Sequence, residues 1–590
     1  MTGGAEVAAS KEGNGAPEAA TLTALTISIS ATLKLLDQDF RTFADGFAEG
    51  RYALWLGSGI SRGRFPMLPD LIVKVLEYLR SNAEQTNRAC PYQEALMEAL
   101  QMAQFDAKKI AKLNLAASVE DWPKEELDSL KGYLTGKYAD FLGIEVKGKD
   151  ADVLVWEGVD VVGTYANDKV EPDLEHLLIA ALILEGAVSD IASANWDGLI
   201  EKALTKLTGV ENRLAVCVKS EDVQDIAGRP VLTKFHGCAL RAKAKPDAYR
   251  KFIVGRSVQI AEWNSEKAVK AIRARLLASI SEKPALMLGL SVQDFNIQNL
   301  FGAAKENVAW PWPGDRPSYV FSEDMVTQGQ KNLLQIVYKN DYKATTSDAI
   351  QKSSLLRAFG KQLLTALLLY CLADKLVRIG GVKASLKPGQ NSAWLRDGII
   401  AVRDAIAAAD TDDHFAFGSG LLASVSRAKR ISALGEAGID NDTYQPLSAQ
   451  SATAIGTSVE LQASGLPELS TAVGILGQGI RTGHWQLRVP ATPNKSSPLA
   501  ILKTETREVP VWVAATGVAE DRLYKDGYVN DRDPAILVRG QPPVERYQRS
   551  PKPLAGRHER GVIEIHIESL AGQTGSGPEL LEAFRQAAVL

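Results

Sequence analysis

Four short segments carry groups that can do chemistry, and each follows a strand-like apolar run. The first is Gly57-Ser58-Gly59-Ile60-Ser61, directly after Tyr52 to Leu56. Glycines at a strand-to-helix turn let backbone N–H groups approach a pyrophosphate, and a helix start favours an anion. The pattern is not the full dinucleotide fingerprint, because Gly63 comes one place late. Taken alone, it reads more simply as a plain glycine turn. The second segment is Ser193-Ala194-Asn195-Trp196-Asp197. Its amide and carboxylate would sit at the end of a strand, where open α/β sheets bind ligands. By itself it also fits an Asx cap on the helix that follows. The third is Lys234-Phe235-His236-Gly237, whose imidazole is able to act as a base near neutral pH. The fourth is Gly289-Leu290-Ser291-Val292-Gln293-Asp294-Phe295-Asn296. Its Gly-x-Ser turn suits ribose or phosphate. It fails as a nucleophile elbow, because Gln293 stands where a glycine is needed.

The elements that must position these segments alternate in type. Leu33 to Gly50 reads as a helix and Tyr52 to Leu56 as a strand. Residues 91–184 are mostly helical in pattern, with a Val-rich stretch, Asp152 to Tyr165, that reads as a strand or hairpin. Pro172 opens a further helix through Leu184. Strand-like runs then recur at Val188 to Ser193, Leu214 to Val218, Val231 to Phe235, Lys251 to Val254, Ala285 to Gly289, Tyr319 to Phe321 and Leu334 to Tyr338. Short apolar runs alternating with helices predict an α/β fold with a doubly wound, mainly parallel sheet. A long helix, Ser354 to Ile379, closes that unit.

The expected organisation is a disordered tail at 1–32, a first domain at 33–380 enlarged by the helical insertion, and a C-terminal α+β domain at 385–590. Candidate strands of the last are Trp485 to Val489, Leu499 to Thr504, Val509 to Ala514, Ala535 to Arg539 and Val562 to Glu568.

Composition sets outer bounds. The 590 residues are 45% hydrophobic and 23% charged, with a net charge of −4, which argues against a generic nucleic-acid binder. The four cysteines, Cys90, Cys217, Cys238 and Cys371, form no closely spaced pair. That argues against a disulfide framework and a structural zinc site, and for a reducing cytoplasm. The N-terminus lacks the basic and apolar regions of a signal peptide. The longest apolar stretch, Leu363 to Ala373, falls short of the ~20 residues that span a bilayer.

In order and placement the four segments together resemble the sirtuin superfamily, in its sirtuin-like NAD-hydrolase branch. The family's glycine–alanine–glycine–isoleucine–serine motif is similar to Gly57 to Ser61, with Ser58 in place of alanine. Its asparagine–any–aspartate matches Asn195 and Asp197, and its histidine–glycine matches His236 and Gly237. Its late glycine–any–serine segment resembles Gly289 and Ser291, with Asp294 and Asn296 as in the bacterial branch. The resemblance covers about residues 33 to 340 and implies a Rossmann-like fold. It also implies roles. Gly57, Ser58, Gly59, Ile60 and Ser61 would cradle the NAD pyrophosphate, and Asn195 would position water or the ribose. Asp197 would contact the nicotinamide carboxamide and His236 would be the base. Ser291 would lie near the adenosine ribose, with Gly289, Asp294 and Asn296 in the same binding segment.

The four-cysteine zinc module of protein-deacylating relatives cannot be built here, so no metal is expected and water is the expected nucleophile. Phe65-Pro66 does not reproduce the deacylase phenylalanine–arginine. Members of this branch are bacterial antiphage effectors that deplete NAD once a partner or second domain senses infection. The implied partners are a homo-oligomer, a HerA-type ATPase, or a short Argonaute with guide nucleic acid. Arg539 to Arg560 would be a phosphate-facing loop in the last case, and otherwise a solvated surface loop. A non-hydrolytic NAD or ADP-ribose binding scaffold and a protein deacylase are the competing functions. Gly572 to Gly577 lacks a P-loop lysine, and His176, His414, His484, His558 and His566 show no ligand spacing and read as structural or surface residues.

Overall fold

The computed structural model describes residues 23–590 apart from 85–86, 88, 308–309, 383–392, 412, 437–442, 456–457, 491–496, 531–532, 541–560 and 575. Most of the N-terminal tail, most of the break after residue 380 and nearly all of the Arg-rich stretch therefore lie outside the described residues.

Seven strands form the first sheet: β1 (Ala53–Leu56), β2 (Asp190–Ser193), β3 (Ala215–Cys217), β4 (Val231–Lys234), β5 (Ala285–Leu288), β6 (Tyr319–Ser322) and β7 (Leu355–Leu356). Their order is β3-β4-β2-β1-β5-β6-β7 and every pairing is parallel. β1, β4, β5 and β6 are buried at every position. Helices on both faces of a parallel sheet require such runs. Alternate residues serve alternate faces: Leu54 and Leu56 enter one core, Ala53 and Trp55 the other. The chain leaves β1 to build β2, β3 and β4 on one side and returns to β5 on the other. The crevice beyond the C-terminal ends of β1, β2 and β5 is thus the switch point where doubly wound sheets hold ligands.

A second sheet comprises β8 (Gln486–Arg488), β9 (Ala500–Lys503), β10 (Glu508–Ala514), β11 (Ala535–Arg539) and β12 (Val562–His566). Its order is β12-β11-β10-β9-β8, with β10, β11 and β12 parallel and the other pairings antiparallel. The core on one face of the first sheet continues through helix Gly360–Val382 into helix Leu466–Arg481 and strands β9 to β12. Among the described residues, no helix is long and apolar enough to cross a membrane.

Several expected elements change. Asp152 to Tyr165 is helical, as a wide turn at Leu154–Gly158 followed by helix Val161–Tyr165. The valines buried there pack as a helical face, with Gly158 closely apposed to Val75 and Tyr78, so β-branched content misled. Leu334 to Tyr338 is the second half of helix Gln328–Tyr338, whose capping box at Thr327 and Gln330 starts it upstream. Among the described strands Lys251 to Val254 joins none; its first two residues lie within a 3₁₀ turn, Arg250–Phe252. The long helix starts at Gly360, not Ser354, because Leu355 and Leu356 pair with β6. The expected first helix is two, Ile29–Asp37 and Arg41–Ala48.

Candidate active site at the C-terminal edge of the sheet

All four segments lie at the C-terminal ends of neighbouring strands, in the spatial order β4, β2, β1, β5. Hydrogen bonds join each turn to the next. The Asn195 side-chain amide donates to the Gly57 carbonyl at 3.1 Å. The Gly59 N–H donates to the Gly289 carbonyl at 3.1 Å, and the Ala239 N–H to the Trp196 carbonyl at 2.8 Å. The Asn296 amide reaches from the β5 turn to His236 Nε2 at 3.0 Å.

The glycines have a packing reason of their own. A Cβ on Gly57 would lie 2.3 Å from the Gly289 carbonyl oxygen, and one on Gly59 would lie 2.5 Å from the Gly289 Cα. Gly289 itself has φ +59°. Two loops therefore touch backbone to backbone, which only glycine allows. Ser58 remains exposed above them, while Ile60 turns into the core.

Asn195, Asp197 and His236 are all buried. Burial pulls the His236 pKa below its ordinary value, against the opposing charge of Asp294. The ring is neutral at physiological pH. Its Nε2 accepts from Asn296, which leaves the proton on Nδ1. A neutral imidazole is the form that can take a proton.

Asp197 holds two partners. Its Oδ1 accepts from the Leu199 N–H at 3.0 Å, so it does cap the following helix. Its Oδ2 accepts from the Ser61 hydroxyl at 3.0 Å. Ser61 also lies 3.1 Å from His176 Nε2. His176 Nδ1 accepts from the Asp173 N–H, so Nε2 carries the proton and donates to Ser61. A directed chain results, from His176 through Ser61 to Asp197. His176 is fully buried, and burial is the largest influence lowering its pKa. Of the two readings expected for it, structural or surface, it is not a surface residue, and through Ser61 it is hydrogen-bonded to Asp197. Arg64 and Lys361 both pair with Asp173, at 3.0 and 3.2 Å.

The remaining residues of the fourth segment separate. Asn296 reaches the site, whereas the Asp294 carboxylate accepts from the Tyr138 hydroxyl at 2.7 Å. Ser291 is exposed, and only its carbonyl is engaged, by Thr327. It touches none of Asn195, Asp197 or His236.

The insertion supplies two groups that sequence reasoning missed. Tyr138 is one. Tyr165 is the other: its ring packs 5.4 Å from Trp196, edge to face, and 5.0 Å from Phe65. Burial and the nearby Asp197 charge raise the Tyr165 pKa. Phe65 thus joins an aromatic wall beside Asp197. Among the described residues, no group of three or more His, Cys, Asp or Glu could hold a metal ion.

The arrangement offers a backbone turn for an anion, an amide and a carboxylate beside it, and a neutral base within one hydrogen-bonded unit. No curated protein matches the chain. A family model described as a SIR2-like domain matches residues 189–345, a span that holds the second, third and fourth segments. Residues 189–345 are therefore similar to a SIR2-like domain, set on a Rossmann-like parallel sheet, and this match supports a relation to the sirtuin-like superfamily.

Proposed function

We propose that the protein hydrolyses NAD at the nicotinamide–ribose bond, giving nicotinamide and ADP-ribose. The observation that carries this reading is the convergence of Asn195, Asp197 and neutral His236, all inside the span that matches a SIR2-like domain, beside the Gly57–Ser61 turn that precedes it. In the reaction the C–N bond breaks with its electron pair going to the nicotinamide nitrogen. Positive charge develops on the ribose, and the oxygen of water bonds to the same carbon. Asn195 orients that water or the ribose. His236 takes the released proton at Nε2 once the Asn296 amide gives up that nitrogen to the bound water, and burial keeps the ring neutral until then. Asp197, fixed by Ser61, faces the carboxamide of the leaving group. The Gly57–Ser61 turn offers backbone N–H groups to the pyrophosphate. Holding the reacting groups in one orientation removes much of the entropic barrier.

On the same reading the activity is a gated effector of bacterial antiphage defence in the cytoplasm. Assembly into an oligomer, or engagement of a HerA-type ATPase or a short Argonaute, would release it, and residues beyond about 385 would form the regulatory part. Chromatography of NAD incubated with wild type, Asn195→Ala and His236→Ala tests the chemistry. Loss of either group is expected to slow cleavage by about 10²–10⁴-fold. Undiminished cleavage in both variants removes these residues from the mechanism. NAD binding without product under every activating condition turns the reading into a binding scaffold, and acyl-peptide consumption in step with NAD into a deacylase.

A further inference from the structure

Lys234 is among the largest fully buried side chains of the protein, with 1% of its surface exposed. A lone ammonium in that position is strongly disfavoured by desolvation. Each of its three N–H donors has a partner. They are the main-chain carbonyl of Asp197, the Glu201 carboxylate at 3.1 Å, and the Cys238 sulfur at 3.6 Å. Burial pulls the ammonium towards neutrality, but neighbouring Cys238, Glu201 and Asp197 together hold its pKa above the ordinary lysine value.

The ammonium is not needed to align the strands. The β2–β4 ladder runs from the Asp190–Val231 pair to the Ser193–Lys234 pair through the backbone alone. What Lys234 adds begins where that ladder stops. It grips the turn holding Asn195 and Asp197, and the first turn of helix Leu199–Thr208. It stands two residues before His236, at the base of the third segment. One side chain therefore spans the base-bearing turn and the turn that carries the amide and carboxylate.

We propose that Lys234 is a positioning residue, which sets the Asn195–Asp197 turn against His236 for NAD cleavage. The assignment rests on the proposed hydrolase reading. Lys234→Met removes the bond to the Asp197 carbonyl but leaves the partly buried Glu201 carboxylate without its cation. The double variant Lys234→Met/Glu201→Leu removes both charges and protects the fold, since replacing a whole buried pair by apolar groups is often neutral.

Two readouts are taken on the full chain. Hydrogen exchange followed by mass spectrometry is expected to rise in peptides covering 194–199 and to stay unchanged in β1 and β5. NAD turnover with methanol added is expected to fall about 10²-fold, the scale of a misplaced reacting group. The ratio of methyl ADP-ribose to ADP-ribose is expected to shift with it. A purely structural role lowers both products equally. Unchanged exchange at 194–199, or an unchanged product ratio in the folded double variant, overturns the proposal. If wild type cleaves no NAD, the hydrolase reading fails. Lys234 is then judged by the exchange pattern with NAD affinity from calorimetry, and equal affinity with equal exchange overturns it.

Discussion

The His176–Ser61–Asp197 chain makes a sharp prediction for Ser61→Ala. The hydroxyl both accepts from His176 Nε2–H and donates to Asp197 Oδ2, at 3.1 and 3.0 Å. Its removal leaves two buried polar groups without that partner. Each such group costs about 1–3 kcal/mol, with the carboxylate at the upper end, so Ser61→Ala should lose about 2–6 kcal/mol. That is a large part of the 5–15 kcal/mol typical of a folded domain. Asp197 would also lose its orientation, so on the proposed hydrolase reading NAD cleavage should drop by about 10²-fold.

Equilibrium urea unfolding of wild type, Ser61→Ala, His176→Phe and the double variant separates the terms. If the chain is real, the double variant loses less than the sum of the singles, with a coupling of about 0.5–3 kcal/mol. Ser61→Thr keeps a hydroxyl and should retain most of the stability. Losses that simply add, or a Ser61→Ala variant within about 0.5 kcal/mol of wild type, refute the bridge.

Three further outcomes follow from buried charge. Burial raises the Glu175 carboxyl from 4.5 to about 7, so the folded state holds a proton that the unfolded state releases in that window, and stability falls as pH rises through it. Glu175→Gln should therefore be more stable by up to about 3 kcal/mol at about pH 8 and near neutral at about pH 4, read as urea midpoints. His176 and His236 behave oppositely, because burial lowers both from 6.5. Their contribution is present above that value and is lost as pH falls, at up to about 2.7 kcal/mol per pH unit for two protons, which pH-dependent unfolding of the Glu175→Gln variant would isolate. Lys375→Met should cost about 3–5 kcal/mol, since it strands the fully buried Glu185 carboxylate, and Lys375→Met/Glu185→Leu should recover only part of that loss in thermal unfolding, because it leaves the Tyr444 hydroxyl and the Leu447 N–H without an acceptor.

The parallel sheet was legible because each strand run ends in a turn whose residues carry meaning. Ala53 to Leu56 and Ala285 to Leu288 are apolar throughout and stop at glycines that must touch. Asn195 and His236 were legible for the same reason, as polar residues directly beyond strand ends. His176 was not. Its partner Ser61 lies 115 positions away, and in sequence it is only a histidine in the first turn of an apolar helix. The one available signal was local: Asp173 at the cap and His176 three residues later form a reciprocal capping box. Tyr138 and Tyr165 were hidden likewise, because nothing in a helical insertion tells which ring folds back onto the strand ends. The strands expected at Asp152 to Tyr165 and Leu334 to Tyr338 failed for a different reason. Short apolar runs do not distinguish a buried helix turn from a strand.

The helix that bears His176 also constrains how the site can be controlled. Helix Leu174–Leu184 lies against helix Gly360–Val382, which grips it at both ends: Lys361 pairs with Asp173 and Lys375 with Glu185. The Glu185 carboxylate is completed by residues beyond that helix, accepting from the Tyr444 hydroxyl at 2.7 Å and the Leu447 N–H at 3.0 Å. Lys375 in turn donates to the Ser448 carbonyl at 2.7 Å. Lifting the 444–448 segment away would break these three hydrogen bonds around the buried ion pair. The same step would loosen the helix that orients Ser61 and Asp197. On the proposed reading, detachment of this segment would therefore disorganise the Asn195–Asp197 turn instead of activating the site. On the proposed reading, a gate on the site works with residues 444–448 still seated, by changing what approaches the C-terminal ends of β1, β2, β4 and β5.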